Sequence, residues 1–361
     1  MTNKKDYIEK LPKVLYIYYR FDNRYNKQRL SGELFFSSPL QFNDLFDSQL
    51  SCINNAGDLT HEDRERKMLE LGYNEEDAKK NAKEIIDKPT DSELFHDVYH
   101  RQLNKCGILC LTTKYNNPMM WGHYSRNEGF CIAYYTKDLE KHITFGFINN
   151  MSKECINLNI KREYNIFPRP KDNDIKERQK YANEIFSIDD CKAITNSYLT
   201  DNLANEDEIL AFIKNIFCKR IYIRKVKYVS SLKDLHPTLF YDHTTPASKG
   251  KYYTKLNCWK YENEYRIILS LGGNTSISLP KTAIKEIILG CNISDTSVCD
   301  ILSIIKDDNT PPKLSRVYKS GNMLLRESLD IKAMMREYKK LIQTFKTKNA
   351  KLATIQDSLI V

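Results

Sequence analysis

The stretch WKYENEYRIILSL at residues 259–271 decides how we interpret the rest of the chain. Its second half is a short apolar run, which is typical of a strand buried in a β core. Its first half carries Glu262, Glu264 and Arg266 at alternate positions, and side chains two residues apart on a strand share one face. Because buried charges are costly unless they are paired or used, the stretch predicts a core strand that begins with a charged cluster.

Similar β-branched and aromatic runs predict further strands on both sides of this stretch. They lie at residues 14–20, 33–39, 106–113, 129–136, 221–230, 276–280 and 284–290. Two charged stretches with apolar residues at helical spacing, residues 59–104 and 171–217, interrupt them, and we interpret both as helical insertions. The sequence therefore predicts an α+β fold with a mixed β core built from both halves of the chain.

The length of 361 residues is enough for two domains of typical size. Because the predicted strands come from both ends of the chain, we expect one core domain over residues 1–328 that carries the two insertions. Residues 329–361 follow as a basic amphipathic helical tail, with lysines at 339, 340, 346, 348 and 351. Such a tail docks on the core, on a partner or second subunit, or on nucleic acid, and the pattern leaves these alternatives open.

Several patterns that mark common protein classes are missing from the sequence. It has no apolar leader and no run of 18 apolar residues, so we expect a cytoplasmic protein that does not enter a membrane. The ten cysteines contain no C-x2-C pair, and we expect no metal. The glycine-rich phosphate loops, the H-E-x-x-H motif and the G-x-S-x-G motif are also missing, which disfavours the enzyme classes that use them.

Polar residues also stand at the ends of the first two predicted strands. Arg20 ends one, and Ser37 and Ser38 end the next. A guanidinium at a strand end can bind phosphate through two donors at once. The alternative is that Arg20 pairs with a neighbouring acid such as Asp44 or Asp47, while the serines cap a turn.

A third candidate cluster lies in the segment that precedes the strand at residues 129–136. Trp121 can stack on a planar ligand while His123 donates a hydrogen bond or moves a proton. The alternative is a core tryptophan whose neighbouring histidine bonds to the backbone. If His123 converges with Glu262 or Glu264 in one cleft, hydrolytic or phosphotransfer chemistry becomes a further possibility.

Four motifs follow one another along the chain in a fixed order. They are Y-x-R at residues 18–20, F-S-x-P-x-x-F-N-D at 36–44, W-x-H-Y at 121–124 and W-x-x-E-x-E-Y-R at 259–266. In this order they resemble an uncharacterised bacterial domain family over about residues 14 to 327, with Leu45 where the family usually has proline. The resemblance implies a cytoplasmic bacterial protein, sometimes encoded near mobile elements or phage-defence genes, without a settled activity.

The same residues are similar, more remotely, to ADP-ribosyltransferases. That likeness implies an NAD-dependent ADP-ribosyl transfer or NAD hydrolysis, in phage defence or as a toxin, with a protein or nucleic-acid acceptor and NAD as co-substrate. By position, Arg20 would hold the NAD phosphate, Ser37 or Ser38 the nicotinamide pocket, and Glu264 the ribosyl cation. The expected binding residues are Tyr18, Arg20, Ser37, Ser38, Trp121, Tyr124 and Arg266, and the expected catalytic residues are Glu264, Glu262 and His123. The alternative function is a non-catalytic nucleic-acid or partner-sensing module of a defence system.

Overall fold

The computed structural model describes residues 11–48, 60–87, 93–150, 172–194, 205–232, 252–269, 272–305 and 311–337. The strands are β1 (Val14–Tyr19), β2 (Glu33–Phe36), β3 (Gly107–Thr112), β4 (Phe130–Tyr135), β5 (Ile221–Lys225), β6 (Lys227–Val229), β7 (Thr254–Leu256), β8 (Glu264–Leu269), β9 (Thr275–Ser278), β10 (Ile284–Leu289), β11 (Lys313–Ser320) and β12 (Met323–Leu329). The α-helices are α1 (Asn26–Leu30), α2 (His61–Glu70), α3 (Glu75–Asp87), α4 (Glu93–Lys105), α5 (Pro118–Ser125), α6 (Thr136–Asn149), α7 (Asp172–Ile185), α8 (Ile188–Ile194), α9 (Glu206–Arg220) and α10 (Asp295–Ile305). Short 3₁₀ helices span Pro39–Gln41, Asn257–Glu262 and Lys281–Ala283.

Eight strands form one mixed sheet in the order β12-β11-β10-β4-β1-β3-β8-β5. Strand β10 is parallel to β11 and antiparallel to β4, and β8 is antiparallel to both β3 and β5. Strands β2 and β9 form a two-stranded sheet, as do β6 and β7. The predicted α+β class, with a mixed β core built from both halves of the chain, is confirmed.

The strand predicted over residues 259–271 begins later than expected. Residues Asn257–Glu262 form a 3₁₀ helix, and Asn263 then adopts the left-handed conformation with φ 49°, which asparagine tolerates better than most residues. The side chain of Asn263 donates a hydrogen bond to Thr113 Oγ1 at 2.8 Å, which fixes this turn. The prediction that Glu262 lies on the strand is therefore wrong, and β8 begins at Glu264 with all six of its residues buried.

The single strand predicted over residues 221–230 is divided in two. Strand β5 pairs with β8, while β6 pairs with β7 in a separate sheet. Between them, the Val226 N–H donates to Glu264 O at 2.9 Å, and the next residue, Lys227, donates its N–H to Tyr253 O at 2.7 Å. At the break, the chain thus donates hydrogen bonds to β8 and to the residue that precedes β7.

The helical segments agree with the predicted insertions. Helices α2 and α3, and all of α4 except its last residue, lie within residues 59–104. Helices α7 and α8 and most of α9 lie within residues 171–217. Residues 331–337 are helical where the tail begins, and the lysines from 339 onward lie outside the described residues. Among the described helices, none combines the length and the apolar character needed to cross a membrane.

The chain divides into two compact units. Unit 1 comprises Met1–Leu15, Glu33–Lys114 and Tyr135–Pro280, and unit 2 comprises Tyr16–Gly32, Tyr115–Tyr134 and Lys281–Val361. In unit 1, an apolar cluster packs α2, α3 and α4 against Ile108 of β3 and Ile268 of β8. This packing fixes the face of β8 that also carries Glu264 and Arg266. A single core domain over residues 1–328 stays a prediction.

Candidate functional site

Unit 1 contains a cluster of five charged side chains that are between 0 and 5 % exposed. Its members are Asp47, Lys255, Glu262, Glu264 and Arg266, and we call it the buried charge cluster. They come from the loop that precedes residue 49, from β7, from the second 3₁₀ helix and from β8. Three carboxylates face two cations, so the cluster has one formal negative charge more than it has positive charges.

Arg266 holds two of the carboxylates in place. Its Nε lies 2.7 Å from Glu264 Oε1, and its Nη1 lies 2.7 Å from Asp47 Oδ1. Its Nη2 contacts the second oxygen of each carboxylate, and Nη1 also donates to Tyr252 O at 2.8 Å. Such two-pronged, charge-assisted contacts offset much of the cost of burying the guanidinium.

Lys255 contacts all three carboxylates of the cluster through its Nζ atom. Its Nζ lies 2.6 Å from Glu262 Oε2, 3.2 Å from Glu264 Oε2 and 3.5 Å from Asp47 Oδ2. The same Nζ lies 4.8 Å from the ring centroid of Trp259, within range of a cation–π contact. Glu262 thus reaches the cluster through the 3₁₀ helix, although it is not on the strand.

The two cations control the ionisation of Glu264. Burial alone would raise the pKa of this carboxyl, but Arg266 and Lys255 outweigh it and lower the pKa to about 2. Burial would likewise lower the pKa of Lys255, but Glu264, Asp47 and Glu262 raise it above its ordinary value. Glu264 is therefore ionised throughout the physiological pH range.

Cys110 connects this cluster to solvent. It pairs with Arg266 across β3 and β8, so both side chains lie on the same face of the sheet. The residue is exposed. The pKa of its thiol is nevertheless raised well above the usual range, first by the protein that surrounds the sulfur and then by the charge of Glu264. The thiol also hydrogen-bonds to Glu264. The exposed Cys110 therefore lies beside Glu264, and we call the space in front of its side chain the Cys110 recess.

The two serines that follow β2 bond within the protein scaffold. Ser38 is fully buried, and its Oγ donates to Leu103 O and accepts from Leu40 N, each at 3.2 Å. It thereby caps the 3₁₀ helix Pro39–Gln41, as the alternative interpretation of the serines holds. Ser37 exchanges two backbone hydrogen bonds with Ile108.

The remaining predicted site residues lie in unit 2. Trp121 is 1 % exposed; its Nε1 donates to Tyr115 O at 2.7 Å, and its ring meets that of Tyr18 edge-on with centroids 5.0 Å apart. Tyr124 is half-buried, while Arg20 and His123 are exposed. The structure thus brings Tyr18 and Trp121 together in unit 2, and Glu262, Glu264 and Arg266 together in unit 1.

Sequence reasoning missed two members of the buried charge cluster. Asp47 was considered only as a partner of Arg20 and Lys255 was not singled out, whereas the structure pairs Asp47 with both Lys255 and Arg266. Lys255 had a detectable signal, because a lysine among tyrosines and leucine, in YYTKL, needs a partner if the run is buried. Among the described residues, no group of three or more His, Cys, Asp and Glu side chains is arranged to hold a metal ion.

Comparison with known proteins identifies one domain. Residues 120–267 match the family model described as "Protein of unknown function (DUF2971)". The matched region includes the W-x-H-Y and W-x-x-E-x-E-Y-R motifs and Lys255, and it excludes Asp47 and Cys110. No curated protein and no solved structure matches the chain. The predicted resemblance to an uncharacterised domain family is confirmed over residues 120–267, and the Y-x-R and F-S-x-P-x-x-F-N-D motifs lie outside the matched region.

Proposed function

We propose that the protein is an enzyme that breaks the bond between nicotinamide and ribose in NAD, for transfer of ADP-ribose to an acceptor or for hydrolysis. The observation that carries this proposal is the surplus carboxylate of the buried charge cluster, next to the Cys110 recess. Glu264 is the catalytic residue in this scheme, and Lys255 and Arg266 are positioning residues.

The electrostatics of the cluster suit this class of bond cleavage. As the bond to nicotinamide breaks, positive charge develops on the ribose, and a fixed carboxylate in surroundings of low dielectric constant stabilises it. Glu264 needs no reorganisation for this task, because Arg266 and Lys255 already fix both of its oxygens. The net negative charge of the cluster also favours the cationic nicotinamide ring over a neutral one.

The low pKa of Glu264 favours this reaction over proton transfer. A general base works best when its pKa lies near the pH at which the enzyme operates, and the pKa of Glu264 is about 2. Chemistry in which Glu264 takes a proton is therefore disfavoured. Stabilisation by charge needs an ionised carboxylate at neutral pH, which is the form that the two cations maintain.

The Cys110 recess is the approach route in this proposal. The thiol of Cys110 hydrogen-bonds to Glu264, so a ribose that displaces this contact comes next to the carboxylate. The family resemblance supports a setting in phage defence or toxin action, in which a trigger switches the activity on.

The test is release of nicotinamide from NAD, measured by chromatography with and without lysate from phage-infected cells. Cys110→Phe fills the recess without removing a charge from the cluster, and we expect it to abolish release. Cys258→Phe is the matched control, because Cys258 is also an exposed cysteine of unit 1, and it should behave as wild type. A wild-type protein that neither binds nor cleaves NAD under either condition contradicts the proposal, as does full turnover by a folded Cys110→Phe variant.

A further inference from the structure

The chain between β1 and β2, in unit 2, forms a surface that the NAD chemistry does not use. Residues 20–29 carry four cationic side chains and one acidic one. Arg20, Arg24 and Lys27 are exposed and Arg29 is half-buried, while Tyr25 is 50 % exposed. We call these five residues the basic-aromatic surface.

The rings and guanidinium groups of this surface are held against one another. The Cζ atoms of Arg24 and Arg29 each lie 5.4 Å from the ring centroid of Tyr25. Arg29 also lies 4.9 Å from the ring of Tyr19, and its Nη1 donates to Arg20 O at 3.0 Å. The ring of Tyr25 is therefore held against two guanidinium groups, while half of the residue's surface stays exposed.

The acid of this segment is used to position one of the cations. Asp22 accepts hydrogen bonds from Arg24 Nε at 3.0 Å and from Arg24 Nη2 at 2.8 Å. These bonds lower the pKa of Asp22 to about 2, so its carboxylate stays ionised and paired with Arg24. Within residues 20–29 the other three cations, Arg20, Lys27 and Arg29, then outnumber the acids.

We infer that the basic-aromatic surface binds single-stranded nucleic acid. Arginine and lysine side chains bind phosphates, and an exposed aromatic ring flanked by guanidinium groups is a platform on which an unpaired base stacks. A base in an intact duplex offers no free face to such a ring. Helix α1 has five residues and is about 7.5 Å long, which is too short to read the major groove of a duplex as a recognition helix does.

This inference stands apart from the NAD proposal. The basic-aromatic surface belongs to unit 2, whereas Glu264 and Cys110 belong to unit 1. Binding is measured without NAD, so a protein that fails to cleave NAD can still bind the strand, and the reverse also holds.

The test is fluorescence anisotropy of the full chain with a labelled 20-nucleotide RNA or DNA strand of mixed sequence, at roughly 50 to 200 mM salt. We expect Tyr25→Ala to weaken binding by roughly 5- to 150-fold, the range for loss of one base–aromatic stack. Replacing both Arg20 and Lys27 with alanine should reduce the slope of log K against log salt by about 0.7 for each charge removed. Tyr318→Ala and Lys319→Ala are matched controls, since both residues are exposed on β11 of the same unit.

Three results would overturn the inference. One is that Tyr25→Ala and the Arg20/Lys27 double variant bind as tightly as the two controls. Another is that a duplex of the same sequence binds more tightly than the single strand, which would leave Tyr25 without a stacking role. The third is that poly-glutamate displaces the strand as effectively as unlabelled strand does, which would indicate an acidic protein as the partner.

Discussion

Each unit of the molecule holds a buried glutamate on a strand against an arginine, but the two arrangements differ in charge balance. In unit 2, Glu286 of β10 accepts from Arg326 Nη1 at 2.6 Å and from the Ser315 hydroxyl. The side chain of Arg326 is 27 % exposed and lies 4.4 Å from the ring of Tyr115. One carboxylate there meets one cation that reaches solvent, so no charge is left over.

In unit 1, by contrast, Glu264 belongs to a set of three carboxylates and two cations, each between 0 and 5 % exposed. A balanced pair is sufficient to bury one glutamate, as unit 2 demonstrates, and a surplus carboxylate adds a further desolvation cost. Unit 1 thus holds the unbalanced buried charge on which the NAD proposal rests, and Glu286 in unit 2 is the balanced arrangement against which that proposal is tested.

The largest effect that we expect is a difference in the loss of unfolding free energy when Arg266 or Arg326 is replaced. Arg266→Met leaves Asp47 and Glu264 with one cation between them, and breaking a buried pair in this way costs about 3–5 kcal/mol. Arg326→Met leaves one buried carboxylate that still accepts from the Ser315 hydroxyl, so we expect a smaller loss of about 1–3 kcal/mol. The free energy of unfolding in urea measures both, and equal losses for the two variants would contradict the distinction between the clusters.

A smaller and graded effect should appear in acid. The folded-state pKa of Glu264 is lowered from 4.5 to about 2, so its contribution to stability is present above about pH 4.5 and is lost as the pH falls towards 2. Glu264→Gln removes the titrating group and should flatten the dependence of unfolding free energy on pH over this interval. Parallel curves for wild type and variant would show that Glu264 is not held in its ionised form.

The pattern of apolar and β-branched residues along the sequence was sufficient to predict much of the sheet. Strands β1, β3, β4 and β10 match apolar, β-branched runs because at least half of the residues in each strand are buried. Strands β11 and β12 were missed, since β12 has mostly exposed or half-buried residues and its sequence lacks a continuous apolar run.

The site was predicted in part, for a physical reason. Glu264 and Arg266 lie two residues apart on a strand, and their contact follows from the pleat. The contact between Asp47 and Arg266 joins residues 219 positions apart, and no periodicity contains that information. The left-handed turn at Asn263 likewise depends on Thr113, which lies 150 residues earlier.

The central claim is that Glu264 stabilises a ribosyl cation by its charge, whereas Glu286 has a structural role alone. The most direct measurement compares nicotinamide release from NAD by Glu264→Gln and Glu286→Gln, each confirmed as folded by its urea unfolding transition. We predict that Glu264→Gln reduces release by about 100-fold, as expected for loss of a fixed electrostatic contact, while Glu286→Gln stays near wild type. Equal release by the two folded variants would contradict the account.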